Sequence, residues 1–449
     1  MRSFRVLVIF LLMVSLFFMG CTKEGSEKLS ANMSSAKPVE VPVSVPISYV
    51  QVSEKIQESP TMQESKMAPT VKYSKELPAC PTDTATGCRK IPKSEQKPVE
   101  GCVGRGTVAL TSPMKYEDIG IIIPMGATIG GHVTPIDHMY FQPIIFHSAP
   151  DSYGVVADAD GIISSIGLEG QPTDGSVNRY NKYRIVMYHS CDFYSIYNLI
   201  TSLSPRIMGI TGVISAGSNW GGAIPVKRGE LLGKIGGQTL DLSVNYDTVT
   251  LDGFLNLKSY DREPWKIHTV DPFDYWEPEV REKLLEKNIR KVAPLGGKID
   301  YDVEGRLVGN WFVEGTNGYQ GNNPHAYWDT HLAFVYNEVD PTFIIVSVGD
   351  FAGEPKQFAV RGNVPNPATV RVSSGVIKYE LVDFDYTSNG KMWDHMSLAP
   401  HIGVVSNDFV RGVILVEMIE SRTLKVEVFP DKKAGEVLGF TANAKVYVR

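Results

Sequence analysis

The chain has 449 residues and a formal net charge of -6, a length that predicts two or three domains. That mild acidity gives no ground for nucleic-acid binding, whose proteins carry basic patches. With 41 glycines, 28 prolines, 20 tyrosines and 18 phenylalanines, the composition favours a mainly β chain with many turns over a helical bundle.

Arg2 and Arg5 precede the apolar run Val6 to Met19, which leads into Gly20-Cys21. A charged start, an apolar stretch of this length and a small residue at the cut are the parts of a secretory signal, here residues 1–20. With a cysteine directly after Gly20, the segment resembles a bacterial lipoprotein signal, which implies acylation of Cys21 as the new N-terminus. Phe18 and Met19 are bulkier than that motif usually carries, so an uncleaved N-terminal anchor is the alternative. Both predict an exported, membrane-anchored, extracytoplasmic protein. No later stretch is long and apolar enough to span a bilayer. Residues 21–98 are mostly Ser, Pro, Glu, Lys, Thr and Val, with Tyr49 and Tyr73 the only aromatics. They predict a disordered tether, which as a coil of about 75 residues reaches roughly 50 Å. Cys80, Cys88, Cys102 and Cys191 are disulfide candidates in an exported chain. Cys80 with Cys88 is the obvious local pair, leaving Cys102 with Cys191, and all three connectivities stay open.

Residues 99–250 predict an antiparallel β-domain, with short apolar runs between glycine-marked turns. Its strands are expected over 118–125, as two runs within 153–166, over 183–189, and over 239–244, where Leu240, Leu242 and Val244 alternate with polar residues. Residues 251–296 predict a connector with one helix. Pro278 starts it, Glu277, Glu279 and Glu282 fill its first turns, and Arg290 and Lys291 its last, the order that complements the helix dipole. Val280, Leu284, Leu285, Ile289 and Val292 supply its apolar face, and Gly296-Gly297 are expected to stop it. Residues 297–449 predict a second β-domain, a sandwich or barrel, with a buried strand over 343–348 and a hairpin joining 413–419 to 423–429.

The chemistry concentrates in the stretch from Gly130 to Phe141, where His132, Asp137 and His138 fall within seven residues after a glycine pair. Imidazole and carboxylate are the ligands a divalent metal such as zinc takes, while a polar turn whose histidines only form hydrogen bonds is the plainer reading. The order of motifs from Gly130 to Val244 resembles the lysostaphin-type (LytM-like) zinc endopeptidases, which cut peptide cross-links in peptidoglycan on a β-fold. Four segments carry the likeness: Gly131-His132 with Asp137, the strand-turn-strand from Tyr153 to Ile163, Ile185 to His189 followed by Tyr197-Asn198-Leu199, and Val226 to Gly236 followed by Thr239 to Val244. The resemblance implies a zinc site on His132, Asp137 (or His138) and the last of these strands.

The departures set the functional expectation. Where the family has His-x-His, this chain has Thr239 and Asp241; where it has the histidine of Tyr-x-His-Leu, this chain has Asn198; and His132 to Asp137 is one step longer than the motif. His132, Asp137 and Asp241 leave a mixed His and carboxylate metal site, and His189 is the one histidine left for proton transfer if the domain is active. Loss of a single general acid or base costs about 10²–10⁴-fold in rate. The expectation is therefore a peptidase-like pseudo-enzyme that binds or scaffolds an envelope polymer or protein. The alternative is a metal-dependent endopeptidase with the variant His/Asp/Asp site, and a third reading is a structural lipoprotein docking through its C-terminal domain. His189 and Cys191 superficially suggest a nucleophile pair, but the cysteine is a disulfide candidate. In the C-terminal domain His325, Tyr327, Trp328, Asp329 and His331 form an aromatic and polar cluster suited to sugar stacking or docking.

Overall fold

The computed structural model describes residues 99–170, 179–323, 326–399 and 401–449. The signal segment 1–20 and the tether 21–98, with Cys21, Cys80 and Cys88, lie outside the described residues, as does His325. Among the described residues no helix is long and apolar enough to cross a membrane.

Strands form where apolar residues alternate. The first eleven are β1 (Ile119–Ile123), β2 (Met139–Pro143), β3 (Tyr153–Val156), β4 (Gly161–Leu168), β5 (Tyr183–Tyr188), β6 (Phe193–Ile200), β7 (Ser202–Leu203), β8 (Asn219–Val226), β9 (Leu231–Ile235), β10 (Leu240–Tyr246) and β11 (Thr269–Val270). They build an antiparallel sheet in the order β1-β2-β10-β6-β5-β4-β8 with β11 beside β10, and a small sheet β3-β9-β7. Period-two alternation gives the large sheet two different faces. Ile185, Met187, Tyr197, Leu242 and Val244 point into the main apolar core. Arg184, Ile196, Asn198, Asp241 and Ser243 occupy the other face, which lines a cavity.

The two runs expected within 153–166 are both strands, but β3 belongs to the small sheet and β4 to the large one. A helix α1 (Pro205–Thr211) follows β7, with Ser204 accepting the Ile207 N–H as its N-cap. The Cys102–Cys191 disulfide ties the entry segment to the turn after β5 across a sequence separation of 89. Cross-linking a loop of that length restricts the unfolded chain. Cys102→Ala is expected to lower stability by about 2–4 kcal/mol, read as a shifted urea midpoint without reductant.

The connector helix α2 spans Pro278–Lys287. It stops at Asn288, short of the expected glycine pair. Lys291 reaches back to the Leu285 carbonyl at 3.1 Å, as a cation at a helix C-terminus should. Arg290, expected on the last turn, lies beyond the helix and is buried. Ile289 packs in a cluster with Ile121, Val339, Trp393 and Ala399, bridging the first sheet to the second.

The remaining strands are β12 (Gly309–Val313), β13 (His331–Tyr336), β14 (Ile344–Phe351), β15 (Glu354–Val360), β16 (Ile377–Ser388), β17 (Lys391–Met392), β18 (Ile402–Glu420), β19 (Thr423–Pro430) and β20 (Lys445–Val448). Antiparallel pairing runs β15-β14-β13-β12-β20-β19-β18-β16, and β15 also pairs with β16. These eight strands therefore close into a barrel, which leaves no free edge among them. Between the two shapes the sequence allowed, the chain adopts the barrel. The expected hairpin is β18 with β19, where Glu420 opposes Thr423.

Candidate functional site

Ile129 and His132 close a four-residue turn by mutual backbone hydrogen bonds of 3.1 and 2.9 Å. Gly130 at its centre has φ +52°, a left-handed conformation that favours glycine. A Cβ on Gly131 would stand 3.0 Å from the Trp328 ring, so this second glycine serves close approach. The turn is held from the barrel. The Gly130 N–H donates to Gln357 Oε1 on β15, and Gln357 Nε2 donates to the Gly130 carbonyl, both at 3.0 Å. Gln357→Ala removes both bonds and is expected to cost about 1–2 kcal/mol in a denaturant titration.

From this turn the chain runs to Asp137 and His138 at the start of β2. Register places Asp241 of β10 opposite Tyr140 of β2 and Asn198 of β6. His138 stands between two carboxylates. Its Nδ1 is 3.1 Å from Asp137 Oδ1, and its Nε2 is 3.4 Å from Asp241 Oδ2. Thr239 Oγ1 donates to Asp241 Oδ1 at 2.7 Å. Asp137 Oδ2 is buried and accepts no hydrogen bond. His132 lies beside this trio, its ring centroid 6.4 Å from that of His138 and nearly perpendicular to it.

The electrostatics follow from the bracket. Burial alone would lower the His138 pKa, but the Asp137 hydrogen bond and the charges of Asp241 and Asp137 outweigh it and raise it. Burial works to raise both carboxyls. At Asp137 the Lys266 ammonium and His138 prevail and hold the carboxyl well below its usual range. At Asp241 burial prevails over the opposing His138 charge, the Thr239 hydrogen bond and the Lys182 charge and pushes the pKa up to about 6. His132 faces the cavity mouth, yet crowding around its ring, then His138 and Lys266, push its pKa down to about 4. The trio thus sets an imidazole that holds its proton more tightly than usual between two carboxyls, next to one that holds its proton more loosely.

The cavity above this trio measures about 700 Å³. Its floor is the sheet face bearing Ser165, Arg184, Ile196, Asn198 and Ser243; its walls include Arg262, Glu263, Trp265 and Lys266 of the connector, and Tyr319 and Tyr327 just ahead of the barrel's second strand. Lys266 is buried, donates to the Pro135 carbonyl at 2.7 Å, and lies 5.2 Å from the Tyr319 ring centroid. Arg184 rests over the Trp265 indole at 4.6 Å.

The structure therefore gathers Asp137, His138, Asp241, Asn198 and His132 around one cavity and leaves His189 elsewhere. The His189 side chain is fully enclosed, with Nε2 2.9 Å from Ser195 Oγ and 3.2 Å from Asp158 Oδ1. Ser195 Oγ and the Tyr197 hydroxyl both donate to Asp158. A serine, a histidine and an aspartate thus meet, but in the core, where no substrate reaches them. Cys191 is oxidised to Cys102 and is no nucleophile. His331, at the start of β13, is buried, and desolvation pushes its pKa down to about 3. Residues 327–330 form a 3₁₀ turn, so Asp329 and His331 do not share a strand face. Sequence reasoning missed Arg184, Trp265, Lys266 and Gln357. Arg184 had a signal, since it occupies the polar phase of the alternation over β5.

A metal on His132, Asp137 and Asp241 requires three donors converging on one point. Here His138 engages both carboxylates, and among the described residues no group of three or more His, Cys, Asp or Glu could hold a metal ion. The donor set as arranged does not fit zinc.

No protein-family model matches the chain, and no curated protein matches it. Among solved structures, Helicobacter pylori Csd3 aligns at 18% identity over 40% of this chain, with a TM-score of 0.21. The aligned part spans 40% of that chain, and at this score the likeness carries no argument.

Proposed function

We propose that the chain is a membrane-anchored, exported envelope lipoprotein whose peptidase-like β-region binds peptide of the envelope polymer, or a protein partner, without hydrolysing it. The observation that carries this reading is the bracket of Asp137, His138 and Asp241. The His138 imidazole occupies the carboxylates that a metal would need, while a polar cavity lies beside them. Asn198 and Thr239 line the place where proton-handling histidines would act, and neither titrates near neutral pH. Tyr327 and Trp265 suit stacking on sugar or peptide planes.

The second reading, a metallo-endopeptidase on His132, Asp137 and Asp241, draws on two observations. Asp137 Oδ2 is buried with no hydrogen bond, and His132 is held neutral, as a metal ligand must be. Elemental analysis of the full chain after zinc loading and dialysis separates the two. The binding reading expects well under one zinc per chain. Stoichiometric zinc in the wild type, lost in both His132→Ala and Asp241→Ala, would favour the enzyme.

A further inference from the structure

Three of the cavity's four carboxylates already have a cation. Asp137 and Asp241 share His138, and Glu169 pairs with Lys182 at 3.3 Å. The fourth, Glu263, has its pKa raised by burial and by the nearby Asp137 charge. Three of the cavity's cations, Arg184, Arg262 and Lys266, have no carboxylate within ion-pairing distance among the described residues, and two of them, Arg184 and Lys266, are held against rings deeper in the cavity. Arg184 lies over Trp265, and although Asp137 and Glu263 are near enough to favour its charge, neither reaches it. Lys266, 1% exposed, has only the Pro135 carbonyl and the Tyr319 ring. A buried ammonium with one hydrogen bond leaves two donors unused. A half-dehydrated guanidinium held against an indole is already ordered for a planar anion.

We propose that Arg184, backed by Trp265 and assisted by the charge of Lys266, forms a carboxylate-binding subsite, so that the pocket takes a peptide through a free carboxylate. The subsite rests on the binding reading above and names its ligand class. Guanidinium and carboxylate match as two parallel hydrogen bonds, which a neutral amide cannot form. The carboxylate comes either from a peptide C-terminus or from an acidic side chain.

The test is equilibrium binding of three probes to the full chain in detergent, with sedimentation on peptidoglycan sacculi run in parallel. The probes are N-acetyl-tetraalanine with a free C-terminus, its C-terminal amide, and that amide with a central glutamate. The free acid or the glutamate peptide should bind at least about tenfold more tightly than the neutral amide, and whichever does identifies the carboxylate's source. Arg184→Gln should abolish the difference, while Arg184→Lys, which keeps the charge but not the fork, should restore only part of it. Equal binding of all three probes, or a preference that survives in Arg184→Gln, overturns the subsite. Binding to sacculi but to no probe also overturns it and leaves the binding reading standing. Binding to neither overturns both.

Discussion

His138→Ala is expected to lower stability at pH 6.5 by about 3–5 kcal/mol, the cost of leaving buried charge without its partner. The imidazole contacts Asp137 at 3.1 Å and Asp241 at 3.4 Å, and all three side chains are at most 15% exposed. Without it, two carboxylates repel each other across β2 and β10. The loss should shrink as the pH rises, because the imidazole's contribution is lost once the pH passes its raised folded pKa. The sign follows from linkage. The folded Asp241 binds its proton more tightly than the unfolded chain does, so its contribution is full below about pH 4 and is lost as the pH rises through 6. His138 has a raised folded pKa too, so its contribution holds below about 6.5 and is lost above the folded value. Urea titrations at pH 6.5 and 9 should show the smaller defect at the alkaline pH. Adding Asp241→Asn to His138→Ala should recover part of the loss, since the remaining carboxylate no longer faces a second one. An unchanged midpoint in His138→Ala would mean that the bracket contributes nothing.

Arg290→Met is expected to cost a similar amount, about 3–5 kcal/mol, for a different reason. Arg290 is 2% exposed and gathers carbonyls in place of a carboxylate. Its Nε donates to Val292 O at 3.0 Å and Pro294 O at 2.7 Å, and its Nη atoms reach Ala293 O and Glu338 O. Methionine matches much of the stem but leaves several buried carbonyls without donors, and each such orphan costs roughly 1–3 kcal/mol. Because Glu338 follows β13 while residues 292–294 follow α2, the loss should loosen the contact between connector and barrel. Hydrogen exchange should rise in residues 288–297 and 337–340 before the rest of the sheet opens. Loss confined to the connector would contradict the bridging role.

These two residues also show what a linear reading can reach. The strands β5, β10 and β19 were legible because alternation is local, and α2 because proline and acids mark its start. The stretch from Gly130 to Phe141 was legible as a site because unlike donors crowd within it. Arg290 was misread, since its partners at 292–294 and 338 belong to a turn and a strand end that no helix periodicity foretells. The role of His138 was open for a related reason. Its bracket needs Asp241, about a hundred residues away, brought opposite β2 by register. The cavity walls at Trp265, Lys266, Tyr319 and Tyr327 come from three separate segments. Barrel closure through β15 and β16 is likewise a non-local pairing that composition cannot report.

In the proposed function this pocket, its carboxylates taken up by His138, holds an envelope peptide without cutting it. The most direct measurement incubates the full chain with peptidoglycan sacculi and zinc, then follows protein in the pellet and new amino termini in solution. Sedimentation with the sacculi is expected, with no release of amino groups above a protein-free control. Zinc-dependent release that disappears in Asp137→Ala would contradict it.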